Sequence, residues 1–169
     1  MKKYTLLFLA VLFSLIGSAQ TPDATGYFNR GLSKTKRQDH RGALADFTKA
    51  IELNPYYSYS YYFRGVAKFE LEDYSGAIAD FTKAIALKPD YSEAYNNRAN
   101  SKSMLQDHRG AIVDYTKTIA LNPDNSAAYS LRGNTKFLLG DKQGACLDWS
   151  KAGEMGYVAA YDMIRKYCN

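Results

Sequence analysis

The sequence predicts an all-α solenoid: four helix-turn-helix units closed by a C-terminal capping helix. Three observations carry that expectation. One segment is written four times at a spacing of 34 residues, so that Gly31, Gly65, Ala99 and Gly133 are followed at constant offsets by Ala43, Ala77, Ala111 and Ala145, then by Phe47, Phe81, Tyr115 and Trp149. Pro55, Pro89 and Pro123 close the first three copies, and a shorter amphipathic stretch follows the last. Self-similarity at such a period marks units that each touch only their neighbours, and a stack of them leaves an apolar end to be covered.

Residues 1–19 read as a signal peptide. Lys2 and Lys3 precede the apolar run Leu6 to Ile16, and Gly17, Ser18 and Ala19 then supply small residues for cleavage between Ala19 and Gln20. The run is too short to span a bilayer, so a retained anchor is the less favoured alternative and no stable membrane insertion is expected after cleavage. No cysteine lies near the cleavage point, which gives no support to a lipid anchor. A periplasmic or secreted protein is expected, with residues 20–23 as a short linker.

The units follow as 24–57, 58–91, 92–125 and 126–156, each read as two helices. In the second, Ser58 to Leu71 carries no proline, Glu72 and Asp73 break the pattern, and Tyr74 to Leu87 resumes it before Pro89. Asp39, Asp73, Asp107 and Asp141 stand where each second helix begins, where a carboxylate can accept backbone N–H bonds and meet the positive end of the helix dipole. Small residues at Gly31, Ala43 and their counterparts let the two helices of a unit approach, with Phe47 and its counterparts filling the space beside them.

The spacing of an aromatic, a small residue, Ala, an aromatic, Ala and Pro resembles the tetratricopeptide repeat, here as Tyr27, Gly31, Ala43, Phe47, Ala50 and Pro55. The second copy matches as Tyr61, Gly65, Ala77, Phe81, Ala84 and Pro89. The third carries Tyr95, Ala99, Ala111, Tyr115, Thr118 and Pro123, and the fourth carries Tyr129, Gly133, Ala145, Trp149 and Ala152 without the proline. The chain departs from the family where an apolar residue usually precedes the glycine: it has Arg30, Arg64, Arg98 and Arg132, with Asp46, Asp80, Asp114 and Asp148 in the second helices. In an antiparallel hairpin these levels fall opposite each other, so Arg–Asp pairs with bidentate geometry are expected within or between repeats. The alternative is that each Asp faces the Lys three residues on, at Lys49, Lys83, Lys117 or Lys151.

The closing segment, 157–169, presents Val158, Tyr161, Met163, Ile164 and Tyr167 and is read as a capping helix. Cys146 occupies an apolar packing position of the fourth repeat and Cys168 follows the cap. Folding back would bring the two sulfurs within about one helical turn, roughly 5 Å. A Cys146–Cys168 disulfide suits an oxidising compartment; the alternative is a buried Cys146 and a loose thiol at Cys168.

Catalytic and nucleic-acid functions are not expected. The formal net charge is +5, which becomes +3 without Lys2 and Lys3, and the basic residues are spread over the repeats rather than gathered in a patch. His40 and His108 occupy one position two repeats apart, about 20 Å at helix spacings near 10 Å, too far to share a metal, and are expected to be exposed at helix starts. No phosphate loop, nucleophile elbow or metal-ligand spacing occurs, so neither enzyme activity nor a cofactor is anticipated.

The resemblance implies a concave groove lined by the first helix of each repeat. Carried over residue by residue, the lining is Phe28, Asn29 and Leu32; Tyr59, Tyr62, Phe63, Val66 and Phe69; Asn96, Asn97, Asn100 and Met104; then Ser130, Leu131, Asn134, Phe137 and Leu138. Aromatic groups offer rigid contact area and asparagines offer both donor and acceptor, a combination suited to an extended peptide. Chaperone-binding members clamp an acidic terminus with paired lysines and asparagines; those lysines are missing here. Some aromatics, Tyr59 and Phe63 above all, could instead pack against the neighbouring repeat. The expected function is a noncatalytic module holding an extended peptide or partner protein. The alternatives are an architectural subunit of a cell-envelope assembly, which could self-associate, and glycan recognition.

Overall fold

A computed structural model describes residues 23–168, so the expected signal peptide, its expected cleavage point and linker residues 20–22 lie outside the described residues. Among the described residues the chain is all helix. Four pairs follow in order: α1 (Ala24–Lys36) with α2 (His40–Leu53), α3 (Ser58–Glu70) with α4 (Tyr74–Leu87), α5 (Ser92–Met104) with α6 (His108–Leu121), and α7 (Ser126–Leu138) with α8 (Lys142–Glu154). The short α9 (Ala159–Tyr167) closes the chain. Each helix packs mainly on those before and after it in sequence, the pattern of a solenoid.

The turns inside the repeats are chemically alike. At the end of α1 the chain enters the left-handed region at Gln38, with φ of 61°, and the Asp39 N–H bonds Lys34 O at 3.0 Å. Glu72 and Gln106 adopt the same conformation, and only Gly140 in the fourth repeat is free of the side-chain penalty there. The next residue opens the second helix: Asp39, Asp73, Asp107 and Asp141 each accept the N–H of the glycine three residues on at 2.9 Å. At Gly42 a Cβ would lie 2.1 Å from the Asp39 carboxylate, so the cap requires the glycine.

Close approach inside each repeat is set by the small residue of the first helix. A Cβ on Gly31 would fall 2.6 Å from the Phe47 ring, and one on Gly65 2.7 Å from Phe81. Phe47, Phe81, Tyr115 and Trp149 are almost wholly buried, with the alanines beside them, and form the axis of the stack. Thr118, which replaces the alanine of the other repeats, is also buried and satisfies its hydroxyl on Asp114 O at 3.0 Å.

A ladder of ion pairs runs along the stack. Arg98 Nε and Nη2 donate to Asp114 at 2.8 and 2.7 Å, and the same bidentate pair recurs as Arg30–Asp46, Arg64–Asp80 and Arg132–Asp148, each inside one repeat. Sequence reasoning missed a second cation: Lys34, Lys68, Lys102 and Lys136, one turn beyond each arginine, reach the same carboxylates at 2.8–2.9 Å. The lysine three residues after the aspartate is not the partner, since Lys49 and Lys151 pair with Glu52 and Glu154. From the second repeat onward the arginine also donates to a threonine of the preceding repeat, Arg98 Nη1 to Thr82 at 3.0 Å and Arg132 Nη1 to Thr116 at 3.1 Å. The guanidinium thus joins neighbours as well as helices within a unit.

The last turn differs. Gly156 takes φ of 85°, its N–H bonds Gly153 O and the Tyr157 N–H bonds Ala152 O, both at 2.9 Å, which is a Schellman closure in place of the extended linker and proline of earlier repeats. This turns α9 back onto α8, where Tyr161 donates to Gly153 O at 2.9 Å and Tyr167 lies 4.5 Å from the Phe137 ring. Cys146 and Cys168 are bridged, pinning the end of α9 to α8. His40 and His108 do stand at helix starts, but they are half-buried rather than exposed, and each Nδ1 is enclosed with no hydrogen-bond partner among the described residues.

Candidate functional site

The face shared by the first helices divides into an aromatic half and an amide half. In the aromatic half, Phe28, Tyr57, Tyr59, Tyr91, Tyr62 and Phe63 form a closed circuit of ring contacts, with centroid separations from 4.8 to 5.7 Å. Phe28 is only 8% exposed and Phe63 packs on Phe47, so both belong largely to the packing of the stack. Tyr59 is 37% exposed, and Lys88 lies over its ring and that of Tyr91 while donating to the Tyr59 hydroxyl at 3.2 Å. Burial pushes the Tyr62 phenol above its ordinary pKa, with nearby Glu93 adding to the shift; burial does the same at Tyr91 and Tyr115.

The amide half is held by hydrogen bonds from behind. Asn97 Nδ2 donates to the Tyr62 hydroxyl at 3.0 Å, Tyr115 donates to Asn100 Oδ1 at 2.6 Å, and Trp149 Nε1 donates to Asn134 Oδ1 at 2.9 Å. Among the described residues each asparagine keeps one polar end uncommitted: Oδ1 of Asn97 and Nδ2 of Asn100 and Asn134. Asn96 is half-buried, its Oδ1 enclosed and without a partner among the described residues. Phe137 is drawn against Trp149 and Tyr167 under the cap.

Two pockets lie between the first helices. Asn29, Leu32, Ser33, Thr35, Lys36 and Phe63 surround one of 450 Å³ between α1 and α3. Val66, Phe69, Glu70, Phe81, Asn97 and Asn100 surround one of 230 Å³ between α3 and α5. Of the residues expected to line the groove, Asn29, Leu32, Phe63, Val66, Phe69, Asn97 and Asn100 meet at these two pockets. Phe28, Tyr59, Tyr62, Asn96, Asn134 and Phe137 do not. A third hollow of 310 Å³ at the first repeat includes Phe28, Asn29, Tyr57 and Ser60. The contributions of Lys36, Glu70 and Phe81 were missed, although Lys36 and Glu70 share one repeat position and could have been found by following the groove face one further turn. Among the described residues no group of three or more His, Cys, Asp or Glu side chains could hold a metal ion, and no helix is long and apolar enough to cross a membrane.

This architecture of paired helices at a fixed period defines a helical-repeat protein. Family models described as "Tetratricopeptide repeat" and "TPR repeat" match residues 24–57 and 65–106, so those segments of the chain are tetratricopeptide repeats. A crystal structure of MamA is similar over 91% of this chain and 87% of its own, at 25% identity and a TM-score of 0.80. The first TPR of Spaghetti (RPAP3), bound to the HSP90 peptide SRMEEVD, is similar over 70% of this chain and 94% of its own, at 26% identity and a TM-score of 0.69. The fold is shared again by MamA residues 41 to the end from Desulfovibrio magneticus RS-1, at 18% identity and a TM-score of 0.78, covering 82% of this chain and 78% of that one. No curated protein matches the chain. The repeat family and these neighbours make it a protein-interaction module of a generally noncatalytic class.

Proposed function

We propose that the chain is an exported, noncatalytic module that holds an extended segment of a partner protein along the first helices of repeats one to three. The observation that carries this reading is the 230 Å³ pocket flanked by Asn97 and Asn100, whose side chains are each fixed by one hydrogen bond and whose remaining polar ends have no partner among the described residues, with the 450 Å³ pocket at Asn29 beside it. An extended backbone needs alternating acceptors and donors, which Asn97 Oδ1 and Asn100 Nδ2 supply. Support comes also from the similar TPR structure with a bound peptide. Export rests on the residue pattern of positions 1–19.

The test is site-specific photo-crosslinking from Asn29 and Asn100 in the native envelope, with Val113 as control. Crosslinks from the two groove positions to one polypeptide, and none from Val113, are expected; the reverse pattern would remove the groove assignment. Sequencing the recovered protein from its N-terminus should begin at Gln20, and a start at Met1 would overturn export by cleavage.

One observation favours a second reading, an architectural subunit. Val113 and Leu147, 67% and 68% exposed, occupy the same position on the second helices of adjacent repeats and make an apolar step away from the groove. A crosslink from Val113 to another copy of the chain would favour assembly over peptide holding.

A further inference from the structure

Resting on the groove reading, we propose that the segment held between the second and third repeats inserts an arginine or lysine side chain into the 230 Å³ pocket, with its charged end on Glu70. The pocket lies below the roughly 300 Å³ at which small-molecule sites begin, so it suits one long side chain rather than a free metabolite. Its walls, Val66, Phe69 and Phe81, are apolar and match the methylene stem of a basic residue, which buries its stem while keeping the charge at the edge.

The carboxylate at that edge is unspent. Glu70 is exposed and has neither an ion pair nor a side-chain hydrogen bond among the described residues. It is also the last residue of α3, where the backbone carbonyls carry the negative end of the helix dipole. A carboxylate there is unfavourable for the helix and favourable for a bound cation. The equivalent positions hold Lys36, Met104 and Leu138, so the other repeats do not share this feature. Glu93, one turn before Asn97 on α5, adds a second exposed carboxylate near Tyr62.

The neighbouring pocket has the opposite sign. Lys36 lines the space between α1 and α3 and would repel a basic side chain, so the two pockets together fix which residue of the segment sits where. Backbone contacts at Asn97 and Asn100 hold the main chain beside the inserted side chain.

Selection of phage-displayed random nonapeptides on the intact protein tests this directly. Selected peptides should be enriched in Arg or Lys at one position, bind about tenfold more weakly to Glu70→Gln, the worth of one charge-assisted contact, and give way to acidic peptides on Glu70→Lys. Non-specific attraction to a chain that is net basic with or without residues 1–19 would enrich acidic peptides instead, so the sign of the preference is diagnostic. Peptides that bind in competition at the groove without basic enrichment, or whose affinity survives Glu70→Gln, overturn the inference and leave the groove standing. Selection of no peptide at all overturns both.

Discussion

Tyr115 donates its phenolic hydrogen to Asn100 Oδ1 at 2.6 Å, tying a residue of the stack's axis to a residue on the face of the first helices. One repeat later Trp149 and Asn134 repeat the arrangement at 2.9 Å. In the first two repeats the same axial position holds Phe47 and Phe81, and the facing residues are the apolar Leu32 and Val66. The polarity of the axial ring and that of the groove residue therefore change together within one chain. Tyr115→Phe should cost about 1 kcal/mol, and pairing it with Asn100→Val should cost less than the sum of the two single changes, because both partners are then apolar as in the second repeat. Strict additivity in urea unfolding would show that the contact carries no coupling.

The ion-pair ladder predicts an asymmetry between partners. Asp114 is 2% exposed and holds two cations, Arg98 and Lys102. Asp114→Ala strands both and should cost about 3 kcal/mol or more, whereas Arg98→Ala leaves Lys102 on the carboxylate and should cost less. Denaturant midpoints of the two variants decide the order.

Three turn residues are stored strain. Gln38, Glu72 and Gln106 sit at φ of 61–63°, where a side chain costs about 1–2 kcal/mol and glycine nothing. Glu72→Gly should raise stability by about 0.5–1 kcal/mol after the entropy gained by the unfolded chain is subtracted, and Gly140→Ala should lower it by a similar amount. Thermal melts of both variants test the pair.

Reduction of the Cys146–Cys168 bridge should act locally. The bridge closes a separation of 22 residues, a loop for which about 3 kcal/mol is expected, and α9 packs mainly on α8, reaching α7 through Tyr167 on Phe137. Hydrogen exchange of Cys146→Ser should show α9 and the outer face of α8 opening while α1 to α4 keep their protection.

Stability should fall at both ends of the pH scale for separate reasons. The bond from Arg30 holds the Asp46 carboxyl below its usual range, so its contribution is present above about pH 3.9 and is lost as acid protonates it. Tyr62, Tyr91 and Tyr115 are shifted upward, chiefly by burial, so they contribute fully below about pH 10 and progressively less as pH rises towards their folded-state values. Ultraviolet titration should resolve these phenols as a group ionising after the exposed ones; a single uniform titration would contradict their burial.

Helix order, caps and the Arg–Asp levels were legible because a 34-residue period repeats the same local chemistry, and each repeat checks the others. Lys34 and its counterparts escaped notice because Lys is a normal surface residue on a helix, and only the hairpin geometry turns it inward. Phe28 and Tyr62 occupy the same repeat position, yet one is 8% exposed and the other keeps its hydroxyl for Asn97, a difference set by neighbours in the adjoining repeat. The charged edge of the groove was obscured for a similar reason: Glu70 gains meaning only once its helix ends at a pocket.

Gly156 has a consequence for how such a chain can change over evolutionary time. Its left-handed turn replaces the extended, proline-bearing linker that hands each earlier repeat to the next, so the boundary between growing and finished arrays is written in a single tight bend. Every joint upstream uses interchangeable parts. Duplication of an internal repeat would lengthen the stack by one notch without redesigning the closing turn, while loss of the bend would leave the array without its stop.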